Sequence, residues 1–243
     1  MLTVSIALGL SLLGAFGGLL VASGVLLIKD STRTKLVPWL VSYAVGAMLG
    51  LSLLALLPTA LQQLPPAHVF ATLLCGILLF FVLEKLVLWR HCHTHDCEVH
   101  ESSVYVVLIG DGFHNFVDGA VIAAAVITSV PLGLSTALAV AAHEIPQEVG
   151  DFAILLHAGY SRRKALLLNL ISAAASVGGA VTAFVAFDIG PRMLPYFLVL
   201  AAASFLYVAM ADLIPGLHRG RTDASSLRQI VLIVAGIVTM LLF

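Results

Sequence analysis

Two short stretches concentrate the residues that could do chemistry. Residues 111–119 read DGFHNFVDG and residues 143–151 read HEIPQEVGD, each inside a long apolar run, and neither contains a Lys or Arg. Histidines, amides and acids set in an apolar helix without a basic partner are costly to bury, and a bound cation is the simplest thing that offsets the cost. His114 and Asp118 are four residues apart, as are His143 and Gln147, so each pair projects from one helical face. Two such pairs facing each other offer four ligands from two helices, which is how helical bundles build metal sites. Asn115 with Asp118, and Glu144 with Glu148, add an adjoining stripe of oxygens, with Asp118 placed to bridge a second cation. Singly, each residue has a plainer role as a hydrogen-bonded histidine or an amide that ties helices together. Matched spacing and missing bases are what point to a cation.

The elements that must position these residues are membrane helices. The chain has 243 residues, of which 60% are hydrophobic and 10% charged, with a mean hydropathy of +1.08. That composition is an integral membrane protein of the polytopic helical class, and its apolar runs recur along the whole length. Eight spans are expected, at about 3–28, 36–60, 68–90, 104–128, 132–158, 164–187, 193–215 and 227–243. The first has no basic n-region and a long apolar run, so it reads as a retained helix rather than a signal peptide. Odd-numbered connections hold eleven of the twelve Lys and Arg residues, which predicts that they are cytoplasmic and that both termini are extracytoplasmic.

Spans 4 and 5 are joined by the short TSVPLG and must be antiparallel neighbours. His114 and His143 then lie at about the same depth, roughly 15 Å in, near the middle of the bilayer. Pro146 leaves the carbonyl of Ala142 without its helical donor, and Gly112, Gly119 and Gly150 flank the polar stretch. Residues 46–61 can be laid on residues 203–218, with Leu49 on Leu206 and Pro58 on Pro215. Five spans separate them, so they cross in opposite senses. The expected fold class is all-α: eight transmembrane helices in a 3+2+3 arrangement, with spans 1–3 and 6–8 as an inverted repeat. All 243 residues then form a single transmembrane transport domain, with a cytoplasmic loop at about 91–103.

That loop carries His91, Cys92, His93, His95 and Cys97, a density of soft and borderline ligands that points to transient capture of divalent metal. The alternative is a solvated loop whose histidines bind nothing. Three cysteines are too few for a disulfide framework.

HNFVDG followed by HEIPQEVGD resembles the signature of the ZIP (Zrt/Irt-like protein) family of divalent metal transporters. FFVLEKLVL in span 3, SFLYVAMADLIP in span 7 and the histidine-bearing loop fit the same family. The resemblance implies uptake of zinc, iron or manganese, with cadmium and cobalt as further candidates, and commonly a homodimer. It puts the principal metal site on His114, Asp118, His143 and Gln147, the adjoining site on Asn115, Asp118 and Glu144, and Met48 at its border. Many members have His where this chain has Gln147, which predicts weaker zinc binding and more tolerance of iron or manganese. Some carry an acid in span 6, where this chain offers Asn169, Ser172 and Ser176.

Asp111, Glu148 and Asp151 line the cytoplasmic side of the site, whereas span 4 continues outward as AVIAAAVI. An apolar outer gate and an acidic inner exit follow. The metal is substrate, no cofactor is expected, and the partners are the lipid bilayer and the ion, with no nucleic acid. The compact chain points to a bacterial plasma membrane. The rival reading is an intramembrane zinc protease with Glu144 as general base, which Gln147 disfavours by breaking HExxH.

Overall fold

A computed structural model describes residues 2–91, 102–218 and 224–242. The His/Cys loop at Cys92, His93, His95 and Cys97, and the side chain of His91, lie outside the described residues. What is described is all-helical and runs as eight rods. These are α1 (Leu2–Leu27), α2 (Asp30–Leu51, then Ser52–Leu56 and Leu57–Leu61), α3 (Pro66–His91), α4 (Ser102–Thr128), α5 (Val130–His157) and α6 (Arg162–Ile189). They are followed by α7 (Leu194–Tyr207, then Val208–Leu213 and Ile214–His218) and α8 (Ala224–Met240). Helices suit this sequence because an apolar segment in lipid must satisfy its own backbone groups.

Among the described residues five segments are long and apolar enough to cross a membrane: Leu2–Val25, Lys35–Leu61, Pro66–Lys85, Arg162–Asp188 and Pro191–Leu217. Ser226–Met240 is a shorter apolar helix. The remaining two, α4 and α5, are diluted by their own polar blocks, so the helices that carry the site are the ones apolarity alone does not find.

α4 and α5 are 27 and 28 residues long and meet at a single-residue break, where Ser129 caps α5 by accepting from the Leu132 backbone N–H at 3.3 Å. That tight reversal makes them antiparallel. α4 also packs along α6 at very short range: a Cβ on Gly119 would sit 1.8 Å from the Ser176 carbonyl oxygen, and one on Gly179 would sit 1.8 Å from that of Phe116. Only hydrogen fits at either point. α1 lies along α5, α2 along α8 and α3 along α7. The main core is formed by residues 120–126 of α4 with Met48 and Leu51 of α2 and Leu198 and Phe205 of α7.

Two π-helical stretches interrupt the α-helices, Ser52–Leu56 in α2 and Val208–Leu213 in α7. Each is followed two residues later by a proline, Pro58 or Pro215. Proline has no N–H for the carbonyl one turn back, so the preceding turn widens. In α2 the Ser52 hydroxyl donates to the Met48 carbonyl at 2.8 Å, part of how the widened turn keeps its oxygens satisfied.

Candidate metal centre

His114 and His143 lie the same distance from the turn at Ser129, to within one residue, so antiparallel packing brings them level. Their Nε2 atoms are 3.1 Å apart. Asp118 Oδ2 lies 2.9 Å from His143 Nε2 and 3.6 Å from His114 Nε2. Glu144 Oε1 is 3.8 Å from His143 Nε2 and 3.7 Å from His114 Nε2. Four ligand atoms, two nitrogens and two oxygens, therefore fall within 4.8 Å of one another. A tetrahedral zinc ion with bonds near 2.0–2.1 Å places its ligands about 3.3 Å apart, and the separations that involve the two imidazole nitrogens, 2.9–3.8 Å, bracket that value.

The tautomers strengthen the match. His143 Nδ1 is 3.0 Å from the Ala139 carbonyl oxygen. A carbonyl only accepts, so Nδ1 carries a proton and Nε2 is the nitrogen turned into the cluster. That nitrogen meets a carboxylate oxygen at 2.9 Å and a second imidazole nitrogen at 3.1 Å. Electron-rich atoms this close need a proton or a metal ion between them. Burial makes the need sharper: Asp118 and His143 are each 1% exposed and Glu144 is 0% exposed. Asp118 Oδ1 and both oxygens of Glu144 have no hydrogen-bond partner. Unsatisfied buried oxygens of this kind are rare, and a bound ion accounts for them.

The sequence agrees with a known family over more than half of the chain. The family model described as ZIP Zinc transporter matches residues 89–243. This chain belongs to the ZIP family. It is 45% identical over 117 residues to human zinc transporter ZIP4, a match covering 48% of this chain and 18% of that protein. It is 34% identical over 223 residues to zinc transporter ZIP13 of Pongo abelii, covering 84% of this chain and 66% of the relative. Zinc transporter foi of Drosophila melanogaster is 37% identical over 146 residues, covering 60% of this chain and 20% of that protein. The chain thus spans about a fifth of the length of some of these relatives and two thirds of another.

Within this ZIP chain the other expected residues fall into two groups. Gln147 does not point at the two imidazoles with its amide nitrogen, which donates instead to Asp111 Oδ1 at 3.3 Å. The fourth member of the cluster is Glu144, the neighbour of His143, which the family resemblance assigned to the adjoining site. Asn115 is fully buried and also donates to Asp111 Oδ1, at 3.1 Å, leaving its own carbonyl oxygen without a partner. Glu148, Asp151 and Asp111 are all buried. Met48 lies in the main core.

Several contacts had no signal in residue spacing. The Phe205 ring meets His143 edge-on, with centroids 5.7 Å apart, and walls one side of the cluster. α1 passes against the other: a Cβ on Gly18 would lie 2.9 Å from Glu144 Cβ, so the small residue leaves Glu144 room to reach the histidines. Tyr207 of α7 hydrogen-bonds to Glu84 of α3, joining two segments that the sequence only likened to the family. A cavity of about 230 Å³ opens beside the cluster, lined by His143, Pro146, Gln147 and Gly150 with Val37 and Val208.

Proposed function

We propose that this chain carries divalent metal cations across a membrane, binding each ion in transit at His114, Asp118, His143 and Glu144 midway along α4 and α5. The observation that carries this reading is the cluster itself: two imidazole nitrogens and two carboxylate oxygens within 4.8 Å of one another, on two polar stretches that contain no Lys or Arg. Family membership supports it, since the similar proteins are named zinc transporters. Two nitrogens and two oxygens form a borderline donor set, suited to zinc and tolerant of iron or manganese.

An inverted repeat of α1–α3 and α6–α8 around the central pair, a 3+2+3 arrangement of eight spans, has support from three kinds of observation. Ser52–Leu56 aligns with residues 209–213, and the second π-helical stretch is Val208–Leu213. α1 packs on α5 as α6 packs on α4, and α2 packs on α8 as α7 packs on α3. Gly46 meets the backbone of Ile233 in α8, and its counterpart Ala203 meets Gly76 in α3, where an added Cβ would lie 2.6 Å away. A pair of widened turns in symmetry-related helices supplies hinges for alternating access.

Transport runs inward to the cytoplasm in this reading, with both termini outside and the whole chain one transport domain. The cavity beside His143 extends toward the end of the bundle that bears Lys35 and Arg162. Residues 121–126 of α4, on the opposite side of the cluster, are packed shut. An inside-negative potential favours entry of a divalent ion by about 4.6 kcal/mol per 100 mV. A bacterial plasma membrane and a homodimer complete the proposal. The zinc-protease reading loses ground: Gln147 is engaged with Asp111, and Glu144 stands among the ligands rather than beside them.

Uptake by the purified protein in sealed liposomes, under an imposed inside-negative potential, tests the function. Wild type should accumulate zinc, and His114→Ala or Asp118→Ala should reduce the rate by at least about tenfold, the effect of losing 1.4 kcal/mol of ion stabilisation. Uptake unchanged in both variants would remove this site from the transport path.

A further inference from the structure

α3 carries one acid, Glu84, inside the segment Pro66–Lys85 that is apolar enough to cross a membrane, and its side chain is exposed. A carboxylate there is costly, and such residues are retained for a function. Its partner is the Tyr207 hydroxyl, which donates to Glu84 Oε2. One turn earlier on α3, the Phe80 ring packs on the Tyr207 ring with centroids 6.4 Å apart. A turn before that lies Gly76, where an added Cβ would sit 2.6 Å from that of Ala203. Gly76, Phe80 and Glu84 recur every four residues, and Ala203 and Tyr207 do the same, so one seam joins α3 to α7.

The seam matters because of what α7 carries on its other side. Phe205, two residues before Tyr207, is 1% exposed and meets His143 edge-on at 5.7 Å. Residues two apart on a helix leave nearly opposite faces, so α7 is held between α3 and the metal cluster. Directly after Tyr207 the helix widens into the π-helical stretch Val208–Leu213, and Val208 lines the cavity beside His143. Widened turns are where helices bend, so the orientation of Phe205 depends on what anchors α7 at the start of that turn. α2 needs no such anchor. The residue laid on Tyr207 there is Gly50, where an added Cβ would lie 3.1 Å from the Ile237 Cα of α8. Backbone contact does at that level of α2 what side chains do in α7.

We propose that Glu84 and Tyr207 are a positioning pair for the metal site: their hydrogen bond anchors α7 on α3 at the start of the widened turn and keeps Phe205 against His143. This rests on the reading of His114, Asp118, His143 and Glu144 as the place where the ion binds. Neither member of the pair belongs to that cluster. They act through the Phe205 ring, which fixes the His143 imidazole on one side while the Ala139 carbonyl holds its Nδ1. Without the bond, α7 turns at the widened stretch and the imidazole loses that wall.

Cobalt added to the intact purified protein tests this, because the visible band of a tetrahedral nitrogen-and-oxygen site reports affinity and geometry together. The band to titrate is the one lost in His143→Ala. Tyr207→Phe, which keeps the ring and removes only the hydroxyl, and Glu84→Leu should each weaken binding by about fivefold, what one net hydrogen bond is worth, and alter the shape of the band. Glu84→Gln retains an acceptor for the phenol and should bind as wild type does. Tyr207→Phe combined with Glu84→Leu should be no weaker than either change alone, because both break the same bond. A Tyr207→Phe protein with wild-type affinity and band overturns the pair, as do losses that add in the double variant or a Glu84→Gln as weak as Glu84→Leu. A band unchanged in His143→Ala instead overturns the reading of the metal site, so the two failures are distinguishable.

Discussion

At the scale of single residues, Gln147 and Glu144 stand differently from what spacing alone expects. Four-residue spacing pairs His143 with Gln147, because both leave the same face of α5. In the structure the Gln147 amide nitrogen donates to Asp111, and a Glu144 carboxylate oxygen lies 3.7–3.8 Å from both imidazole nitrogens. Gln147→His would put a third imidazole at the edge of the cluster in place of a neutral amide. We expect that change to raise the preference for zinc over manganese by about tenfold in competition uptake, since imidazole suits zinc and carboxylate and carbonyl oxygens suit manganese. An unchanged preference would show that position 147 does not reach the ion. His114, Asp118 and His143 are legible in the sequence, because bases are missing around them and their spacing matches. Glu144 as a direct partner of both histidines is not, since neighbours on a helix point about 100° apart. Only the closeness of α1 at Gly18 and the wall at Phe205 show why its side chain turns inward.

At the scale of elements, the site depends on how tightly α4 is held. Gly119 lies one residue beyond Asp118, and α6 presses its Ser176 carbonyl against it. Any side chain there must push the two helices apart and carry Asp118 away from His143, a contact now at 2.9 Å. Gly119→Val should destabilise the protein by at least about 1–3 kcal/mol, the usual cost of overpacking, and should weaken zinc binding in parallel. Thermal unfolding in detergent with a zinc titration would check it; a variant of wild-type stability and affinity would mean that the α4–α6 contact does not position the site. The helices themselves are largely readable: spans expected at about 132–158 and 164–187 appear as Val130–His157 and Arg162–Ile189. The π-helical stretches are not, although Pro58 and Pro215 mark the places. Proline shows where a helix loses a donor, and packing decides whether the turn kinks or widens.

At the scale of the whole molecule, polarity is distributed in a way that composition hides. Among the described residues apolarity alone picks out five segments able to cross a membrane, and α4 and α5 fall outside that set because they hold the acids and histidines. A bundle of apolar helices thereby encloses two polar ones, and the unpaired charges of those two form the proposed route: four ligands at mid-depth, three more acids beyond them, and a cavity beside His143. The account as a whole turns on where the ion sits. X-ray absorption by zinc added at one equivalent to the intact protein measures that directly. It should report two nitrogen and two oxygen neighbours at about 2.0–2.1 Å, and the signal should be lost in His143→Ala. Sulfur neighbours at about 2.3 Å, the signature of cysteine ligation, or a spectrum unchanged by His143→Ala, would place the ion elsewhere and contradict it.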